Sequence, residues 1–353
     1  GAMTTLPMTA PMAPMAPTAA GSGSLGPFAW GPLTIGPLSV AVAWALAGIF
    51  TLLVVATAAV WVLGRLRPAA DFTELRQRVR TWWIMAAVFA LAMLLSRRVS
   101  LLFFALVSFL ALKEYLSLIP TRRADRSVLL LAYLTIPIQY LWIDMRWYGM
   151  FIVFIPVFGF LLLPMRMVLV GETEGFLRAA GTLHWGLMAT VFSLSHVAFL
   201  LVLPQRLNVH GGGPGLVLYL VFLTQFNDVA QYLWGRTLGR HKVIPKVSPG
   251  KTVEGLLGGL GTTILLAWLL APRLTPFDRG EALVAGVIIG LGGFVGDVVI
   301  SALKRDLGIK DSGTLLPGHG GILDRIDSLS YTAPLFFHFV WYQHGPLITR
   351  LWD

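Results

Sequence analysis

The chain has 353 residues, of which 56% are hydrophobic and 12% charged, with a formal net charge of +10 and no cysteine. This balance lies far from that of a water-soluble domain and makes a bilayer the expected solvent. The lack of cysteine excludes disulfides, thiolate catalysis and Cys-based metal sites. The basic residues sit between apolar runs, where they orient a membrane chain, so nucleic acid is not an expected partner.

Gly1, Ala2 and Met3 read as a cleavage scar, and residues 1–39 as a disordered tag and tail rich in Pro, Ala, Met, Gly and Ser. Pro7, Pro11, Pro14 and Pro17 break the apolar core that a secretory signal needs. From there, apolar runs recur at 40–63, 82–96, 99–112, 128–143, 148–164, 181–203, 214–234, 254–271, 281–303 and 328–345. They predict an all-α, polytopic membrane bundle of about nine or ten transmembrane helices. Residues 40–220 read as an amino-terminal scaffold, and 221–353 as the catalytic part of the same bundle. If the loops after alternate runs, beginning with the first, face the cytoplasm, they hold 20 of the 27 Lys and Arg residues, which places the amino terminus outside. Long apolar faces leave room for a homodimer.

The densest polar segment runs from Ser301 to Asp327. Asp297 precedes it on a glycine-rich stretch, and Asp297, Ser301 and Lys304 fall at i, i+4 and i+7 on one helical face. A carboxylate at the membrane end of a helix is costly unless it is paired or holds a metal, so Asp297 is either a functional acid or half of an ion pair with a nearby lysine. Asp324 and Asp327, spaced i, i+3, address one point if their segment is helical. Hard carboxylate oxygens suit Mg²⁺ beside phosphate. The loop Pro317-Gly-His-Gly-Gly321 allows close backbone approach to an anion, while Lys304, Arg305 and Lys310 neutralise phosphate charge. His319 reads as a loop-shaping or phosphate-contacting residue.

A second constellation starts at Asn227 and Asp228, with Tyr232 at i+4 from the acid, and passes through His241 and Lys242 to Lys246, Ser248, Lys251, Thr252 and Glu254. Its Ser-Pro-Gly-Lys-Thr run shares letters with a P-loop but lacks the Gly-x-x-x-x-Gly-Lys spacing and any expected strand, so that assignment is rejected. Loop amides with Lys246 and Lys251 remain candidate nucleotide-phosphate donors.

Ser-x-x-Lys-Arg, Lys310-Asp311, Pro-x-His-Gly-Gly and Asp324-Arg325-x-Asp327 resemble, element by element, the signature of CDP-diacylglycerol synthases. Asp228, Tyr232, His241-Lys242, Pro245-Lys246, Ser248-Pro249 and Lys251-Thr252 are similar to that family too. Gln231 stands where the family has a small residue, and Val253 where it has tryptophan. The resemblance covers the last third of the chain. It implies CTP and phosphatidate giving CDP-diacylglycerol and pyrophosphate with Mg²⁺, a second cation being compatible, in a multi-pass bacterial-type inner membrane with the site facing the cytoplasm. On that reading Asp297 and Asp324 anchor the metal, and Asp327 and Asp228 complete or orient it. Lys304 and Arg305 act in catalysis. Substrate contacts come from Asp228, Lys246, Ser248, Lys251, Ser301, Lys310, Asp311, His319, Gly320, Gly321 and Arg325. The alternatives are a cytidylyltransferase for another lipid phosphate, a CTP-dependent polyprenol kinase, and a cation-coupled transporter that uses the same acids.

Overall fold

The computed structural model describes residues 39–67, 71–120, 126–313 and 320–352. The expected tail at 1–38, Arg122, Arg123 and His319 lie outside the described residues.

Every apolar run becomes helix. The chain passes through α1 (Val40–Leu66), α2 (Thr73–Leu94), α3 (Arg97–Leu118) and α4 (Arg126–Asp144). Two rods follow, each interrupted by one π-helical stretch. In the first, α5 (Tyr148–Val153) joins α6 (Phe160–Val170) through Phe154–Gly159; in the second, α7 (Phe176–Leu187) joins α8 (Ser193–Leu200) through Met188–Phe192. Then come α9 (Gly212–Leu238), an antiparallel hairpin of β1 (Lys242–Ile244) and β2 (Ser248–Thr252), α10 (Val253–Leu274), α11 (Arg279–Asp306), the single-turn α12 (Leu323–Ile326) and α13 (Leu329–Trp352).

Among the described residues, eight rods are long and apolar enough to cross a membrane, and the chain is an all-α polytopic bundle. The two other long helices are more polar for different reasons. The first turns of α2 carry Glu74, Arg76, Arg78 and Arg80. Helix α13 contains His338, Gln343 and His344, but Ala333, Phe336, Phe337 and Val340 on it are fully buried. Its other face is exposed and mixed, carrying Leu335, Tyr342 and Leu347 beside His338 and Gln343.

Helices α9, α10 and α11 pack side by side, with α13 lying against α11 and α8. Lipid tails give little drive for apolar helices to associate, so polar ties across these contacts matter more than in water. Asn227, fully buried on α9, donates to the Gly290 carbonyl of α11 (3.2 Å) and accepts from the Thr263 hydroxyl of α10 (3.0 Å). At the other end of α9, Asn208 Nδ2 donates to the carbonyls of Gly212 (2.9 Å) and Leu274 (2.8 Å), which secures the start of α9 against the end of α10. Helix α11 begins in a capping box: Asp278 accepts from the Glu281 N–H, and Glu281 accepts from the Asp278 N–H. Thr252, the last residue of β2, caps α10 by accepting from the Gly255 N–H (3.1 Å).

Replacing Asn227 by Leu removes both inter-helix bonds while keeping bulk. It should cost about 1–2 kcal/mol, read as a lower midpoint of thermal unfolding in detergent. An unchanged midpoint would mean that apolar packing alone holds α9, α10 and α11 together.

Candidate active site

The polar segments meet at the end of the bundle where α9 and α11 finish. Helix α11 brings Asp297, Ser301 and Lys304 along one face, and α12 folds back over that face. The approach is close because position 296 is glycine: a Cβ there would overlap the Asp327 carbonyl oxygen. The resulting cavity of about 240 Å³ is lined by Gln225 and Asp228 of α9, Asp297 and Lys304 of α11, Asp311, and Asp324, Arg325 and Asp327 around α12.

Besides Asp311, five acids at this end of the bundle accept ion pairs or hydrogen bonds. Asp297 Oδ2 pairs with Lys251 Nζ at 2.6 Å, and Oδ1 accepts from the Ser301 hydroxyl at 3.2 Å. Asp228 accepts from the Ser328 hydroxyl, with its two oxygens at 3.1 and 2.9 Å. Asp324 Oδ1 pairs with Lys304 Nζ at 2.7 Å, while Oδ2 accepts from the N–H groups of Ser312 (2.9 Å) and Gly321 (3.1 Å). Burial alone would raise the Asp324 pKa, but Lys304 and these N–H donors outweigh it and hold the acid below its usual range. Asp327 is the opposite case: burial first, then repulsion from Asp297 and Asp228, push its acid well above the ordinary carboxylate range, although it accepts the Ser328 N–H at 2.7 Å. Arg325 Nε is buried without an acceptor beside these groups.

The fifth acid is Glu114, near the end of α3. Its carboxylate accepts from the N–H groups of Ile322 (2.9 Å) and Leu323 (3.0 Å), satisfying two free donors at the start of α12. Ser312 Oγ lies 2.5 Å from Glu114 Oε1 and 2.9 Å from Asp324 Oδ2, so one hydroxyl proton serves two carboxylates in turn. Glycine is required on this loop for two reasons. Gly320 has φ of +77°, and a Cβ on Gly321 would overlap the Glu114 carboxylate.

The family model described as the cytidylyltransferase family matches residues 76–343. The chain belongs to the cytidylyltransferase family. Among its relatives, the uncharacterized protein YnbB of Escherichia coli K12 is 51% identical over 298 residues, 84% of this chain and 97% of that protein. Phosphatidate cytidylyltransferases match over shorter stretches. That of Staphylococcus aureus strain COL is 42% identical over 121 residues (34% of this chain, 46% of the relative), and that of Synechocystis is 46% identical over 114 residues (32% and 39%). The chain therefore aligns with less than half the length of these two enzymes.

Within this cytidylyltransferase, the cavity gathers Asp228, Asp297, Lys304, Asp311, Asp324, Arg325 and Asp327, with Ser301 and Lys251 bonded to Asp297 just behind. Gly320 and Gly321 shape the loop above Asp324. Other expected residues sit elsewhere. Arg305 donates to the carbonyls of Val247 (3.2 Å) and Ile309 (3.0 Å), tying the end of α11 to the hairpin and not lining the cavity. Lys246 and Lys310 are exposed, and Ser248 lies on β2 opposite Ile244. Tyr232 is exposed, with its hydroxyl accepting from Arg236 at 3.2 Å. The Ser-Pro-Gly-Lys-Thr run is itself strand β2, which corrects the expectation of no strand there. Its spacing still rules out a P-loop.

Carboxylate oxygens of Asp228, Asp297 and Asp327 on one cavity are the donor type that a hard divalent cation takes. Asp324, also expected at a metal centre, lines the same cavity, with its oxygens accepting from Lys304 and the loop donors. Among the described residues, no group of three or more His, Asp or Glu side chains is arranged to hold a metal as it stands. The donor chemistry of these acids fits a cation, and Asp297 is paired with Lys251.

Glu114 and Gln225 were not singled out from the sequence. Glu114 sits beside Lys113 at the end of an apolar run, where it reads as a loop charge, and only the fold places it 208 residues away on Ile322. Replacing Glu114 by Ala, or Gly321 by Ala, should displace the loop and lower turnover about 10²-fold, while gel filtration in detergent still shows folded protein. Unchanged turnover in both variants would show that loop position is set elsewhere.

Proposed function

We propose that this chain transfers CMP from CTP to phosphatidate, forming CDP-diacylglycerol and pyrophosphate, with the cavity facing the cytoplasm at the inner membrane. The observation that carries this reading is the meeting of Asp228, Asp297 and Asp327 with Lys251, Lys304 and Arg325 at the end of a membrane bundle. The Staphylococcus and Synechocystis relatives, both phosphatidate cytidylyltransferases, support the same reaction.

Both reactants are anions, and their repulsion must be offset before they approach. A phosphate oxygen of the lipid forms a bond to the α-phosphorus of CTP as the bond to the β-phosphate oxygen breaks in line, and pyrophosphate departs with that electron pair. The lipid phosphate is ionised near neutral pH, so no side chain need remove a proton. Lys304, held on Asp324, and Arg325, with a buried free N–H, supply fixed positive charge at the cavity wall. Glu114 and Asp324 hold the loop over that wall. A divalent cation, Mg²⁺ by donor type, would sit on Asp228, Asp297 and Asp327 and neutralise phosphate charge.

With purified protein, labelled CTP and phosphatidate, label should enter the lipid with one pyrophosphate released per turnover, and a chelator should stop the reaction. Asp297→Asn should reduce it at least about 10²-fold. A phosphorylated lipid with CDP as co-product would assign a kinase instead, and cation flux without CTP consumption would assign a transporter.

The orientation has its own test, made simple by the absence of cysteine. A cysteine introduced at the exposed Lys246 should react with an impermeant maleimide only in inside-out vesicles. Labelling in right-side-out vesicles would place the hairpin, and the cavity with it, on the opposite face.

A further inference from the structure

Lys251 holds one carboxylate oxygen of an acid that lines the cavity. Its ammonium lies 2.6 Å from Asp297 Oδ2, and the pair is only 17% and 23% exposed. The other Asp297 oxygen is taken by the Ser301 hydroxyl. A small divalent ion binds carboxylate oxygen at about 2 Å, so on Oδ2 it would stand close to the ammonium, and the two positive charges compete for that oxygen. Lys251 comes from the end of β2, not from α11, and stands on a flexible four-carbon stem.

Two further groups attend the same ammonium. Gln231 Oε1 accepts from Lys251 Nζ at 3.1 Å, and the Phe294 ring centroid lies 5.6 Å away. Gln231 is 4% exposed, and its Nε2 is buried with no acceptor, so the carboxamide has no other partner to orient it than Lys251. An ammonium that leaves Asp297 therefore keeps a carbonyl acceptor and an aromatic face within reach.

We infer that Lys251 is a built-in counter-ion that occupies the Asp297 carboxylate until a divalent cation displaces it, and that Gln231 is the tether that keeps the displaced ammonium in the site. The inference rests on the proposed cation site at Asp297. It assigns Gln231 as a positioning residue that acts through Lys251. Without the counter-ion, the cluster of Asp228, Asp297 and Asp327 would stand uncompensated beside the membrane whenever no cation is bound. With it, cation entry is an exchange of one charge for another, and the freed ammonium remains beside the cavity for an anionic phosphate.

The test is Mn²⁺ binding to the full-length protein in detergent, without nucleotide or lipid, followed by electron paramagnetic resonance. Lys251→Met should bind Mn²⁺ about tenfold more tightly than the parent chain, because the competing charge is gone. Gln231→Ala should shift affinity in the same direction by about threefold, and both variants should raise KM for CTP more than they lower kcat. Lys246→Met, which removes an equal charge from the exposed hairpin, should leave Mn²⁺ affinity within about twofold. Equal or weaker Mn²⁺ binding by Lys251→Met overturns the inference, as does an equal gain in Lys246→Met. Should Lys251→Met not fold, Lys251→Gln and Gln231→Ala carry the same comparison. Asp297→Asn separates the two levels: undiminished Mn²⁺ binding there removes the cation site and this inference with it, while the CTP and phosphatidate assay still decides the reaction.

Discussion

The structure depends on neutralising negative charge where water is scarce. Carboxylates at the end of a membrane bundle carry a large desolvation cost unless each meets a cation or a set of N–H and O–H donors. Asp297 meets Lys251, Asp324 meets Lys304 and two backbone amides, Asp228 meets Ser328, and Glu114 meets the first amides of α12. Asp327 is left with a single bonded amide, and burial first, then its two acidic neighbours, raise its acid. The loop geometry, the glycines that permit it and the packing of α12 on α11 all serve this arrangement of charge.

The compensating groups separate into two kinds. Lys304 and the amides on Asp324 form a closed set in which both oxygens are used, which suits a framework element. Asp228, Asp297 and Asp327 are held instead by the hydroxyls of Ser328 and Ser301, the Lys251 ammonium and one amide. All four acids nonetheless line one cavity.

Much of this was legible in the sequence. Apolar runs of helical length between basic loops announce a membrane bundle, because only internally bonded backbone survives in lipid. The spacing of Asp297, Ser301 and Lys304 announces a single polar face, and the Asp324 to Asp327 run announces the acids opposite it. Glu114 was not legible, since a glutamate next to a lysine at a helix end has a cheap local explanation and its partners are backbone amides, which carry no residue signature. The hairpin from Lys242 to Thr252 was equally hidden, because strands of three and five residues with proline and glycine show no alternation. Arg305 reads as a phosphate ligand beside Lys304, yet a one-residue step along a helix turns a side chain by about 100°, and that step sends it toward the hairpin.

The grip of Glu114 on Ile322 and Leu323 has a meaning for biogenesis. During synthesis, α3 enters the bilayer long before α12 exists, so until then the glutamate must rest on water or lipid headgroups at the membrane rim. Capture of the nascent loop is then among the last steps of assembly, and a half-made chain holds no organised pocket in which nucleotide could be spent unproductively.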